Sequence, residues 1–307
     1  MEGKSLQFYK YLRTCREYHH ITQEELVRDL YNYDKENFEN LDTVTLSRWE
    51  RDSTKPQFSK QVSLIRYFQE QSNEALPCWD NYSVEEVENL ICSVGIKNIL
   101  GRSKQLILNF PSKMMHMDEL KVYPIRDIEK NRVLFELNMD MHMAINHEYT
   151  QVSIKQFEEW AMYPSNLFLA CEYKDGFIGL FFSLKLKEDI FDKLMNFKMK
   201  KSDITENDFA KNDEVGCDFL LSFYAINHKA AMMLFVRHYA YLIANQKFIS
   251  NIGATTALDE VKKTVENMRL EYVKSKTMGN GVIIEAYRQT LGKVLTSEYV
   301  VKMIFSE

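Results

Sequence analysis

Metal or thiol chemistry would fall to five cysteines, Cys15, Cys78, Cys92, Cys171 and Cys217, and to a histidine and carboxylate group, Asp140, His142, His147 and Glu148. Structural zinc needs thiolates or imidazoles at short, paired spacings, and the chain has no C-x-x-C pair and no compact three-ligand set. No metal is expected. The cysteines read as thiols of a reducing cytoplasm, and the histidines as a polar helix face. Met139, Met141 and Met143 alternate on the same stretch, so they form no single stripe and read as adaptable packing. A different chemistry belongs to the cations Arg48, Arg51, Lys55 and Lys60, with Arg13 and Arg16. They could form a local phosphate-attracting group, although residues 1–80 carry eleven Lys plus Arg against fourteen Asp plus Glu, a net of −3.

The elements that would position these cations can be read from caps and periodicity. Thr22 can accept an orphan amide of a first helical turn, and Glu25 three residues on completes a capping box. Leu26, Val27, Leu30 and Tyr31 follow at helical spacing, and Leu6, Phe8, Tyr9 and Leu12 repeat the period before them. Asp42 can cap a third helix, Thr43 to Glu50, that turns Leu46 and Trp49 inward. Lys55-Pro56 then interrupts the chain, and Val62, Leu64, Ile65 and Phe68 mark a fourth amphipathic segment.

Residues 6–70, through Thr22-Gln23-Glu24-Glu25-Leu26 and Ser47-Arg48-Trp49-Glu50-Arg51 before Pro56, resemble the lambda repressor and Cro-like (XRE-type) helix-turn-helix family. The resemblance implies that Gln23 touches a phosphate of double-stranded DNA. It places Thr43, Val44 and Arg48 against base edges and brings Arg51 and Lys55 to the backbone. Arg48 would be the main reader, since a guanidinium can donate two bonds to guanine O6 and N7, worth roughly 1–3 kcal/mol of discrimination. The acidic loop Asn32 to Leu41 is longer than the tight turn usual in that family.

At 307 residues, with five prolines and ten glycines, the chain suggests two folded units and little disordered linker. The opening residues do not form a signal sequence. No apolar window is long enough to cross a bilayer, so the chain is expected to be soluble and cytoplasmic, with no membrane partner. The expected organisation is multidomain, α and α+β: a helix-turn-helix domain at 1–75, a helical linker at 76–118 and an α+β domain at 119–307. Pro77 marks the first boundary, Ser83 and Glu86 form another capping box, and Ile96 to Phe110 reads as a connecting helix with a solvated basic face.

The last part alternates between periods. A strand at Lys121 to Ile125, helices at Asp127 to His147 and Val152 to Met162, and strands Leu167 to Tyr173 and Phe177 to Leu184 around Lys174-Asp175-Gly176 are expected first. A strand Cys217 to Ile226, a helix Ala230 to Asn245, a strand near Phe248 to Ile252, a helix Leu258 to Val273, and strands near Gly281 to Tyr287 and Tyr299 to Ile304 follow. That order resembles the GNAT acetyltransferase superfamily over roughly residues 120–307. Members that bind acyl-CoA hold its pyrophosphate at a glycine-rich turn after the fourth strand. Here the turn is Asn227-His228-Lys229-Ala230-Ala231-Met232-Met233, without glycine. By the resemblance Lys229, Ala230 and Ala231 would meet the cofactor, Tyr272 would be the catalytic proton donor, and Glu172 or Glu214 could stand near as a base.

The sequence is therefore read as a sequence-specific DNA-binding transcriptional regulator whose GNAT-like domain senses a small-molecule or acyl-CoA ligand or mediates assembly. A homodimer is expected, because one recognition helix makes few base contacts and paired modules read half-sites about 34–36 Å apart on an operator. The alternative is an N-acyltransferase that uses acyl-CoA and is recruited by its helical domain.

Overall fold

The computed structural model describes residues 7–79, 82–92, 119–146, 152–258, 261–262, 265–266 and 268–305. The segment Ile96 to Phe110 and the pair His147 and Glu148 lie outside the described residues. The chain divides into two compact units: the first is Met1–Ile99 with Ala240–Lys247 and Gly292–Glu307, the second Leu100–Tyr239 with Phe248–Leu291.

The first unit is helical in its described residues. It holds α1 (Phe8–Tyr18), α2 (Gln23–Tyr33), α3 (Lys35–Phe38), α4 (Thr43–Glu50), α5 (Phe58–Ser72) and α6 (Val84–Cys92). Both reciprocal caps form: the Glu25 amide donates to Thr22 Oγ1 at 3.2 Å and the Thr22 amide to Glu25 Oε2 at 2.8 Å, with the same exchange between Ser83 and Glu86. Asp42 Oδ1 accepts the Thr45 amide at 2.6 Å and starts α4. The stretch from Asn32 to Leu41 is not an open loop. Asp34 caps α3 through the Asn37 amide and accepts Ser63 Oγ at 2.6 Å, while Phe38 is fully buried. Leu12, Leu26, Leu30, Leu46, Leu64, Ile65 and Phe68 join it in the core.

The second unit is a mixed sheet covered by helices. Its strands are β1 (Leu120–Pro124), β2 (Leu167–Tyr173), β3 (Gly176–Leu186), β4 (Gly216–Ala225), β5 (Ile249–Thr256), β6 (Glu271–Thr277) and β7 (Ile283–Thr290). They lie in the order β1-β2-β3-β4-β5-β7-β6; β4 and β5 run parallel and every other pair antiparallel. Helices α7 (Ile128–Asn146) and α8 (Ile154–Met162) follow β1, α9 (Glu188–Met195) follows β3, and α10 (His228–Ala244) follows β4. Alternation on β3 sorts the covers. Phe182 stacks on Phe168 at 4.4 Å and meets Phe135 of α7 and Phe157 of α8, while Phe181 points the other way, to Phe235 and His238 of α10. Burying each such ring contributes about 1.5–3 kcal/mol before the cost of ordering it. At Gly253 a Cβ would stand 2.6 Å from Phe191 Cζ, so this glycine is what lets α9 lie directly on β5.

Strands β1 to β5 and helices α7, α8 and α10 fall where the sequence places them, and the unit is a mixed α/β sheet with helices packed on it. Two expectations are corrected. The helix expected to reach Val273 gives way earlier, since β6 already runs from Glu271; Tyr272 therefore lies on a strand. Tyr299 to Ile304 is not a strand but lies in helix α12 (Glu298–Phe305), which follows α11 (Leu291–Leu295). Its apolar run is β-branched, yet Val300, Val301 and Ile304 fall on one buried helical face.

Candidate functional site

The feature that sets β4 apart begins at Leu221. Ser222 pairs with Phe182 and Leu220 with Ser183, so Leu221 has no opposite residue on β3 and forms a bulge. A bulge adds one residue to a strand, bends it and increases its twist. The parallel ladder with β5 ends at the same level, at Leu220 opposite Ala254, although β4 continues to Ala225 and β5 to Thr256. Beyond that point β4 remains paired to β3 through Ala225, and β5 to β7 through Thr256. Two parallel strands thus part inside a continuous sheet and leave a notch between them. An extended chain carrying amide groups can add to strand edges of this kind.

The notch leads to the start of α10. Asn227 Oδ1 accepts the Ala230 amide at 3.0 Å, and the Asn227 carbonyl accepts the Ala231 amide at 3.1 Å. Asn227, Ala230 and Ala231 are buried, Lys229 is half-buried in the first turn and His228 is exposed. Ala230 and Ala231 are fully buried at the start of the helix. A 17-residue helix that begins here aims its positive end at the β4 side of the notch, the polarity that favours a phosphate.

On the other lip, Glu285 of β7 lies opposite Thr256, the last residue of β5, and Tyr287 lies opposite Ala254. Residues 285 and 287 share a face because side chains alternate along a strand. The Tyr287 hydroxyl donates to Glu285 Oε2 at 2.6 Å, and Lys262 Nζ lies 3.2 Å from Glu285 Oε1. Burial, reinforced by the neighbouring carboxylate, pushes the Tyr287 hydroxyl well above its usual range, so it stays protonated. Among the described residues no group of three His, Cys, Asp or Glu could hold a metal ion.

The sequence-expected residues are scattered over both units. Tyr272 is more than half exposed on β6, its ring edge-on to Tyr287 at 6.0 Å. Glu172 on β2 accepts the Tyr123 hydroxyl, and Glu214 is an exposed loop residue paired with Lys211. In the first unit Val44, Arg48, Arg51 and Lys55 are exposed and Thr43 is half-buried. Gln23 Nε2 donates to Glu50 Oε2 at 2.6 Å, and Glu50 also receives Arg16 Nε and Nη2 at 2.5 and 3.1 Å. The Glu285-x-Tyr287 spacing was in the sequence as a same-face pair on a strand. The bulge at Leu221 had no local signal.

No protein-family model and no curated protein matches the chain. Among solved structures, FeeM, an N-acyl amino acid synthase from uncultured soil microbes, is similar at 9% identity and a TM-score of 0.41, over 58% of this chain and 94% of that one. Aminoglycoside 6'-acetyltransferase type Ii is similar at 15% identity and a TM-score of 0.35, over 56% and 97%. The AHL synthase LasI is similar at 13% identity and a TM-score of 0.37, over 58% and 92%. The expectation of a sequence-specific DNA-binding transcriptional regulator is corrected: the similar structures are named as an N-acyl amino acid synthase, an aminoglycoside acetyltransferase and an AHL synthase.

Proposed function

We propose that this chain is an N-acyltransferase that moves an acyl group from a thioester such as acyl-CoA to an amine. The observation that carries the reading is the parting of β4 from β5 after the bulge at Leu221. The arm of coenzyme A is an extended chain with two amide groups, and it ends in a thiol at one side and phosphates at the other. Laid in the notch, it would pair its amides with the strand edges while α10 received the phosphates beside Lys229, Ala230 and Ala231. The thioester would then stand at the level where the strands separate, with the Glu285 and Tyr287 side chains on the neighbouring lip.

Release of free thiol from acetyl-CoA in the presence of a panel of amines tests the reading. Turnover is expected, and Lys229→Glu should raise the KM for acetyl-CoA about tenfold or more. The same substitution should leave turnover of S-acetylpantetheine, which lacks phosphates, close to the parent value. Absence of coenzyme A binding at millimolar concentration would sink the proposal.

A further inference from the structure

Cys15 of α1 and Cys78, which follows α5, are distant in the sequence, yet their thiols are within hydrogen-bonding reach of each other. The Cys15 sulfur also lies 3.9 Å from the carbonyl oxygen of Pro77, which independently places the turn at Pro77 and Cys78 against α1. Both residues are in the thiol form, Cys15 fully buried and Cys78 half-buried. Cys78 holds φ at +65°, in the left-handed region that glycine and asparagine usually occupy. A backbone strained in this way persists only where its surroundings hold it, and such positions cluster where a side chain has a task. Here the strained residue presents its sulfur to a second thiol. We propose that Cys15 and Cys78 are a reversible disulfide-forming pair, oxidised by a small-molecule disulfide such as glutathione disulfide and reduced again by thiols.

The bond asks for little movement. Two sulfurs in hydrogen-bond contact need to approach by about 2 Å to reach the length of an S–S bond. The order of events follows from exposure. Burial, and then the Cys78 thiol, push the Cys15 thiol far above its usual range, so the half-buried Cys78 is the sulfur that meets the oxidant. Its thiolate attacks one sulfur of the glutathione disulfide and the S–S bond breaks. One glutathione leaves with the electron pair and takes up the proton that Cys78 lost. The Cys15 sulfur then attacks Cys78 in the mixed disulfide, and its proton goes to the second departing glutathione. Two protein thiols are oxidised, and one disulfide is reduced to two thiols. The new bond ties α1 to the turn after α5 across a loop that contains α2, α3, α4 and α5. Constraining so long a loop in the unfolded chain favours the folded helical unit.

Incubation of the full chain with glutathione disulfide at neutral pH, without denaturant, tests the pair by intact mass and peptide mapping. Expected are a loss of two hydrogens, a peptide in which Cys15 is joined to Cys78, and a thermal midpoint raised by at least about 3 °C, all reversed by dithiothreitol. Cys78→Ser should show neither the link nor the rise. A glutathione adduct that persists on Cys78, linkage of Cys78 to another cysteine, or a Cys15–Cys78 link that forms only in urea would overturn the proposal. Neither outcome touches the acyltransferase reading, which is measured by thiol release. If Cys78→Ser fails to fold, the peptide map of the parent chain decides.

Discussion

His238 Nε2 of α10 lies 2.8 Å from Asp218 Oδ2 of β4, and both side chains are 1% exposed. The Phe181 ring stands 4.3 Å from the imidazole, and neither His238 Nδ1 nor Asp218 Oδ1 has a hydrogen-bond partner among the described residues. The pair ties the helix that begins at the notch to the strand that forms its wall. Removing one member strands a buried polar or charged group, a loss that typically costs about 3–5 kcal/mol. His238→Leu and Asp218→Leu should each be strongly destabilising. The double variant should be less destabilised than the sum of the two, since no orphan remains. Urea denaturation reads both effects, and strict additivity would show that the two groups do not interact.

The caps of α2 and α4 predict a specific acid response. The Thr22 backbone amide and then its hydroxyl hold the Glu25 carboxyl below its usual range, and hydrogen bonds from Thr45 do the same for Asp42. Both folded-state pKa values are depressed, so their contribution is complete above the unfolded value of about 4 and disappears as the pH falls through the folded value. Amide exchange in the first turns of these two helices should accelerate between about pH 5 and 3. Glu25→Gln should flatten the response in α2 only. A uniform response across all helices would exclude the caps as its source.

The parts legible in the sequence were those with a local cause. Thr22 with Glu25 and Ser83 with Glu86 announce helix starts that form, because a cap is settled within four residues. The Lys174-Asp175-Gly176 hairpin also forms, although positive φ falls on Lys174 and Asp175, one residue before the centre that an Asp-Gly signal suggests. The notch was hidden because it depends on a register between β3, β4 and β5, and no stretch of β4 alone encodes which residue lacks a partner. Tyr272 was misplaced for a related reason: Leu270, Val265 and Met268 are buried at helical spacing, but β7 captures the chain from Glu271 onward. The DNA contacts assigned to Gln23 and its neighbours came from motif positions. The contacts of Glu50 with Gln23 and Arg16 join three helices and are not encoded in any one stretch of the motif.

The helix at Glu298–Phe305 carries the final prediction, because its residues complete the core of the first unit from the far end of the chain. Phe305, 7% exposed, meets Phe8 edge-on at 5.4 Å, Tyr11 at 4.9 Å and Trp79 at 6.2 Å. Val300 and Ile304 beside it are fully buried, and Gln246, also in this unit, exchanges two hydrogen bonds with the Leu76 backbone. Phe305→Ala removes a ring from an aromatic cluster that cannot collapse onto one alanine, a change that typically costs about 3–5 kcal/mol. Phe305→Leu keeps much of the volume and should cost clearly less. Denaturant unfolding followed by the fluorescence of Trp79 measures both. A parent-like midpoint for Phe305→Ala would mean that α12 does not complete this core and that the helical unit is sufficient without it.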